Sequence, residues 1–190
     1  MTKPLKALSF VLALVLIAGS VWAAGTTVTL KAGYFSPSDE IFRDVYGGGP
    51  TFGLEIAVPV AGILQAWGGA EIFSKKGLTT ESEEATKVRI VPLYAGLRCQ
   101  FTGKSIRPYV GAAAGYFLIR EESPLGTASD GGIGFLGQAG LLIGLGPSLA
   151  LDVQAGYRAC TVTTDGEDPV EAKLGGLSVG LGLAYRFGRS

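Results

Sequence analysis

Apolar and small or polar residues alternate with a period of two through eight segments of about ten residues each. Thr27 to Phe35 carries Val28, Leu30, Ala32 and Tyr34 on one face and Thr29, Lys31 and Gly33 on the other. Thr51 to Val58 sets Phe52, Leu54, Ile56 and Val58 against Glu55 and Ala57, and Leu64 to Phe73 sets Leu64, Ala66, Ala70 and Ile72 against Gln65, Trp67 and Glu71. Val91 to Phe101 sets Val91, Leu93, Leu97 and Cys99 against Tyr94, Arg98 and Gln100. Tyr109 to Leu118, Phe135 to Gly144, Leu149 to Arg158 and Leu177 to Phe187 repeat the pattern. Side chains alternate faces along a strand, so alternation this sustained predicts eight strands with two unlike faces.

The connections alternate as well. Ser36–Pro50, Ser74–Lys87, Ile119–Ile133 and Ala159–Leu174 are long and polar, whereas Pro59–Gly62, Thr102–Ile106 and Leu145–Ser148 are short. An up-and-down order puts every long loop on one rim and every tight turn, with the N-terminus, on the other. That asymmetry with an even strand number predicts an all-β, eight-stranded antiparallel up-and-down transmembrane β-barrel. A lipocalin-like soluble barrel has the same strand count with its faces exchanged. Three features weigh against it. The apolar face of the last strand is unbroken, with Leu177, Val179, Leu181, Leu183, Tyr185 and Phe187. The other face is poor in charge and rich in Gly, Ala and Ser, unlike a water-facing surface. Aromatic residues gather near the segment ends: Tyr34, Phe35, Phe52, Phe73, Tyr116, Phe117, Phe135 and Tyr157 toward the long loops, and Phe101, Tyr109, Tyr185 and Phe187 toward the turns. They are expected to form two interfacial girdles.

Composition adds the compartment. Lys3 and Lys6 precede the apolar run Leu8–Ala18, and small residues at Val21 and Ala23 follow. This reads as a secretory signal peptide over 1–23, cleaved after Ala23, ahead of a barrel over 24–190. The run is shorter than the roughly 20 residues that a helix needs to span a bilayer. Losing the leader leaves 14 of the 16 basic residues against 16 acidic ones, with no basic stripe, so no nucleic-acid partner is expected. Thirty glycines among 190 residues, placed inside strand-like segments, suit a crowded barrel interior.

The inward face would bury Lys31, Glu55, Glu71, Arg98, Asp152, Arg158 and Arg186. Buried charge needs partners, so these seven are expected to form a salt-bridged lumen network, the alternative being an ion path. Arg98 and Arg158 in particular should point inward with acidic partners.

The chain resembles the small outer-membrane β-barrels, such as the transmembrane domain of outer membrane protein A and the outer membrane protein X and W groups. The resemblance covers the whole chain after the leader and rests on two stretches. Arg107-Pro108-Tyr109-Val110-Gly111-Ala112-Ala113-Ala114-Gly115-Tyr116 is similar to the Pro-Tyr-Val-Gly-rich strand common among them. The final strand, with Leu181, Leu183, Tyr185 and Phe187, is similar to the C-terminal signal read by the barrel-assembly machinery, although Gly188-Arg189-Ser190 follow the usual terminal aromatic. The resemblance implies localisation to the bacterial outer membrane, with outer-membrane lipid, lipopolysaccharide and the assembly machinery as partners. It also implies either a structural or surface-interaction role or a narrow, porin-like channel for small hydrophobic or ionic solutes. No peptidoglycan-binding domain is seen, so a cell-wall tether is not expected.

Catalysis is not expected. The chain has no histidine, the residue to which general acid–base work most often falls, so a lipid-modifying enzyme is disfavoured and no catalytic residue, cofactor or metal site is assigned. Glu55 and Glu71 could be imagined as a carboxylate pair, but lumen salt bridges are the simpler reading. Cys99 and Cys160 fall at opposite ends of the strands, beyond the roughly 7 Å that a disulfide can bridge, so two free thiols are expected. At the outer rim the acidic clusters Asp39-Glu40, Glu81 to Glu84 and Glu167-Asp168 accompany Arg43, Lys75, Lys76, Lys87, Arg89, Arg120 and Lys173. These suit either lipopolysaccharide phosphates or plain solvent. Gly47-Gly48-Gly49 and Gly131-Gly132 read as flexible loop ends.

Overall fold

The computed structural model describes residues 25–78, 85–123, 126–163, 171–173 and 175–188. The leader with its cleavage site and the acidic clusters at Glu81 to Glu84 and Glu167-Asp168 lie outside these residues. The strands are β1 (Thr27–Pro37), β2 (Gly49–Ala61), β3 (Leu64–Leu78), β4 (Ala85–Gln100), β5 (Ile106–Ser123), β6 (Gly126–Gly144), β7 (Leu149–Thr163), a three-residue β8 (Glu171–Lys173) and β9 (Gly176–Arg186). One short helix, α1 (Glu40–Tyr46), lies between β1 and β2.

Every pairing is antiparallel. The order β6-β5-β4-β3-β2-β1-β9-β7 is closed by β6 against β7, and β8 pairs only with Thr161–Thr163 of β7. Eight strands thus close a barrel without a free edge, and β8 is an addition above the rim. Closure pairs the backbone groups of each strand with both neighbours, so no sheet edge is left open.

Strand parity sets the faces. Leu30, Phe52, Phe135 and Leu177 are more than 60 % exposed on the outside, whereas Lys31, Glu55, Glu71, Arg98, Asp152 and Arg158 are less than 10 % exposed inside. In β9 the apolar Leu177, Val179, Leu181, Leu183 and Tyr185 all face out. Pro92 sits in the middle of β4. Having no N–H, it cannot donate to a ladder. The β3/β4 ladder pauses between the Phe73↔Ile90 and Ala70↔Leu93 pairs and resumes in the same register.

Three expectations are corrected by the strand ends. Two of the long connections, Ser74–Lys87 and Ile119–Ile133, are mostly strand. β5 and β6 stay paired from Ile119↔Asp130 to Ser123↔Gly126, and β3 and β4 stay paired up to Leu78↔Ala85. At 15 to 19 residues, β3 to β6 exceed the 9–11 residues that a bilayer-spanning strand needs. Gly131-Gly132 consequently lies inside β6 and is not a loop end. The third correction is that Gly48 is packed rather than free. A Cβ there would lie 2.6 Å from the Tyr34 hydroxyl.

Candidate functional site: the filled lumen and its open mouth

Three layers occupy the interior. Nearest the long-loop rim is an apolar plug of Phe35, Phe73, Val88, Ile90, Phe117 and Cys160, with Tyr46 of α1 packed against it. The rings of Phe35 and Phe73 meet edge to face at 5.5 Å. Phe35, Phe73 and Phe117 were expected in the outer girdle, and this is a correction. Each shares the odd parity of the inward Lys31, Glu71 and Gly115 of its strand, so each ring points into the lumen. Tyr34, Phe52, Tyr116, Phe135 and Tyr157 hold the outward positions at that rim, and Phe101, Tyr185 and Phe187 hold them at the other. Tyr185 and Phe187 pack edge to face at 4.8 Å.

The middle layer is charged. Glu55 accepts from Lys31 Nζ at 2.6 Å, from Arg98 Nη1 at 2.8 Å and from Gln138 Nε2 at 3.1 Å. One carboxylate therefore binds two cations from different strands. Arg158 donates to Glu71 at 2.7 Å and stacks over the Phe35 ring at 4.5 Å, which joins this layer to the plug. Arg98 Nε donates to Gln65 at 2.7 Å, and its guanidinium lies over the Tyr109 ring at 4.8 Å. Trp67 and Tyr94, both fully buried, pack at 5.2 Å.

The third layer turns on Tyr109, whose hydroxyl donates to Asp152 at 2.8 Å. Tyr109, Leu142, Ala150 and Ala184 form an apolar cluster around it. A Cβ at Gly140 would stand 2.5 Å from the Tyr109 ring, so any larger residue there would push the ring off its place across the facing strand. Tyr109 was expected in the lower girdle and is the fourth ring to be moved inside by parity.

Of the seven residues expected in the network, the structure brings Lys31, Glu55 and Arg98 together and pairs Glu71 with Arg158. Asp152 pairs with a phenol instead of a cation. Arg186 is the exception. It has the inward parity of Gly182 and Ala184, but it is the last residue of β9 and is exposed. Past the end of the ladder the lumen has opened, and its guanidinium lines the mouth instead. The partners that sequence reasoning did not single out, Gln65, Gln138 and Tyr109, share the inward parity of their strands, and that was the available signal.

The arrangement holds charge in place more than it offers chemistry. Glu55 and Glu71 are each held by cations, so neither is poised as a free base. Among the described residues no group of three Cys, Asp or Glu side chains could hold a metal ion. Cys99 and Cys160 are both free thiols, near opposite rims. A small cavity beside the charged layer, bordered by Lys31, Gly53, Glu71 and Gln154, measures only about 10 Å³. Below the third layer the lumen widens into a vestibule of about 580 Å³ at the short-turn rim.

This architecture is that of known solved proteins. Neisserial surface protein A superposes with a TM-score of 0.59 at 19% identity, covering 86% of this chain and 98% of its own. The outer membrane protein AlkL gives 0.54 at 18%, covering 89% and 93%, and outer membrane protein W of E. coli gives 0.51 at 16%, covering 86% and 98%. The chain has the fold of the small outer-membrane β-barrels. No protein-family model matches it, and no curated protein sequence matches it.

Proposed function

We propose that this protein is a structural or surface-interaction barrel of the bacterial outer membrane whose lumen is filled by its own side chains. The observation that carries this reading is the roughly 10 Å³ left beside the Lys31–Glu55 pair, about the space that one water needs. The Phe35–Phe73–Phe117 plug above it supports the same reading. The outward belt of Leu30, Leu54, Leu181 and Leu183, with Tyr and Phe at both rims, supports the membrane location. Secretion by a leader cleaved after Ala23 belongs to the same proposal, as does a non-enzymatic role.

Lipopolysaccharide is the proposed lipid partner at the outer rim. Arg89 of β4 and Arg120 of β5 are register partners on the outward face, both exposed, one step beyond the apolar Val91 and Leu118. Two adjacent guanidinium groups at that height suit phosphate oxygens. The terminal Leu181, Leu183, Tyr185 and Phe187 all face outward and would be presented together to the assembly machinery.

The test is refolding in detergent, gel mobility with and without boiling, and conductance across a planar bilayer. A heat-modifiable band without conductance is expected. Discrete conductance steps would replace this reading with a narrow channel, and a chain that stays folded and soluble without detergent would overturn the membrane location.

A further inference from the structure

The vestibule at the short-turn rim differs from the rest of the interior in its charge. Lys104, Arg107 and Arg186 line it, and no Asp or Glu does. No carboxylate pairs with any of the three among the described residues. In the charged layer above, Lys31, Arg98 and Arg158 each have a carboxylate within 2.8 Å. Cations converging on one concave, partly desolvated space create a field that attracts an anion. The two arginines present planar forks suited to oxyanions. Gln100 also lines the wall, and its Oε1, turned away from solvent, has no hydrogen-bond partner among the described residues.

We infer that this vestibule is a binding site for a phosphate group, either inorganic phosphate or a small phosphomonoester. Arg107 and Arg186 would clamp its oxygens, Lys104 would add a point charge, and the Gln100 amide, turned toward the bowl, would accept the ligand's P–O–H proton on its Oε1. Near pH 6 inorganic phosphate keeps at least one such proton and a monoester carries it in part, since the second pKa of a phosphomonoester is about 6. Sulfate and phosphodiesters carry none. A cavity of about 580 Å³ exceeds what a bare phosphate fills and lies within the usual range of about 300–1,000 Å³ for small-molecule sites. The site stands apart from the question of conduction, because it lies below the filled layers.

The test uses the folded barrel in an uncharged maltoside detergent near pH 6, where titration calorimetry follows inorganic phosphate, glycerol phosphate and sulfate. Saturable phosphate binding at one site is expected, weakened at least about tenfold in Arg107→Gln and in Arg186→Gln, with sulfate at least about tenfold weaker than phosphate. Tighter glycerol phosphate than inorganic phosphate would assign the site to a monoester, and the reverse would assign it to free phosphate. Arg186 is exposed at a strand end, so its variant keeps the test valid if Arg107→Gln loses the heat-modifiable band. No saturable binding, affinity unchanged in Arg186→Gln, or sulfate as tight as phosphate would overturn the inference.

Discussion

The two ends of the lumen are built on the same inward parity yet carry opposite chemistry. β4 to β6 are the longest strands of the barrel, and at the long-loop end Phe35, Phe73, Phe117 and Cys160 meet across a closed cylinder. At the short-turn end the strands stop, and Lys104, Arg107 and Arg186 surround an open bowl. Parity decides whether a residue faces inward. Distance from the strand end decides whether facing inward means burial. Arg158 and Arg186 show this directly, since one is 2 % exposed and ion-paired while the other is exposed and has no ion pair among the described residues.

The largest effect should come from the charged layer. Glu55→Ala would leave Lys31 and Arg98 buried without their carboxylate, at a cost of about 3–5 kcal/mol. Denaturant titration in lipid vesicles should read this as a large drop in midpoint. A small drop would mean that water reaches the layer. Phe117→Ala in the plug opens a cavity and should cost about 3–5 kcal/mol. The same variant sharpens the contrast between the ends, because a plug that seals the barrel should, once opened, admit water-soluble thiol reagents to Cys160 while Cys99 labelling stays unchanged. Leu181→Arg on the outward face of β9 should cost about 2–4 kcal/mol in a bilayer if that face meets lipid near the midplane. A neutral result would mean that this face meets water or a partner. Arg186→Gln at the open mouth should change stability by no more than about 0.5 kcal/mol, as for a surface position without buried contacts. A larger loss would show that the vestibule is structurally closed.

Much of the barrel was legible beforehand. The eight strands, their antiparallel order, the three tight turns and the inward set Lys31, Glu55, Glu71, Arg98, Asp152 and Arg158 all follow from a period of two and alternating loop lengths. The four misplaced rings, Phe35, Phe73, Tyr109 and Phe117, were grouped by nearness to a strand end although their parity already pointed inward. The lengths of β5 and β6 were not legible, because the charged Arg120, Glu121 and Glu122 and the small residues from Gly126 to Gly132 read equally well as loop or as strand.

The amino-acid sequence by itself determined the two-faced strands and which side chains share a face, because alternation is a local property of extended chain. Only the tertiary structure decided which inward residues meet. Glu55 takes Lys31 from one strand and Arg98 from another, Tyr109 reaches Asp152 across 43 positions, and Arg186 is left at the mouth. Register, barrel closure and the point where each strand ends set those distances, and none of them is encoded in a single segment.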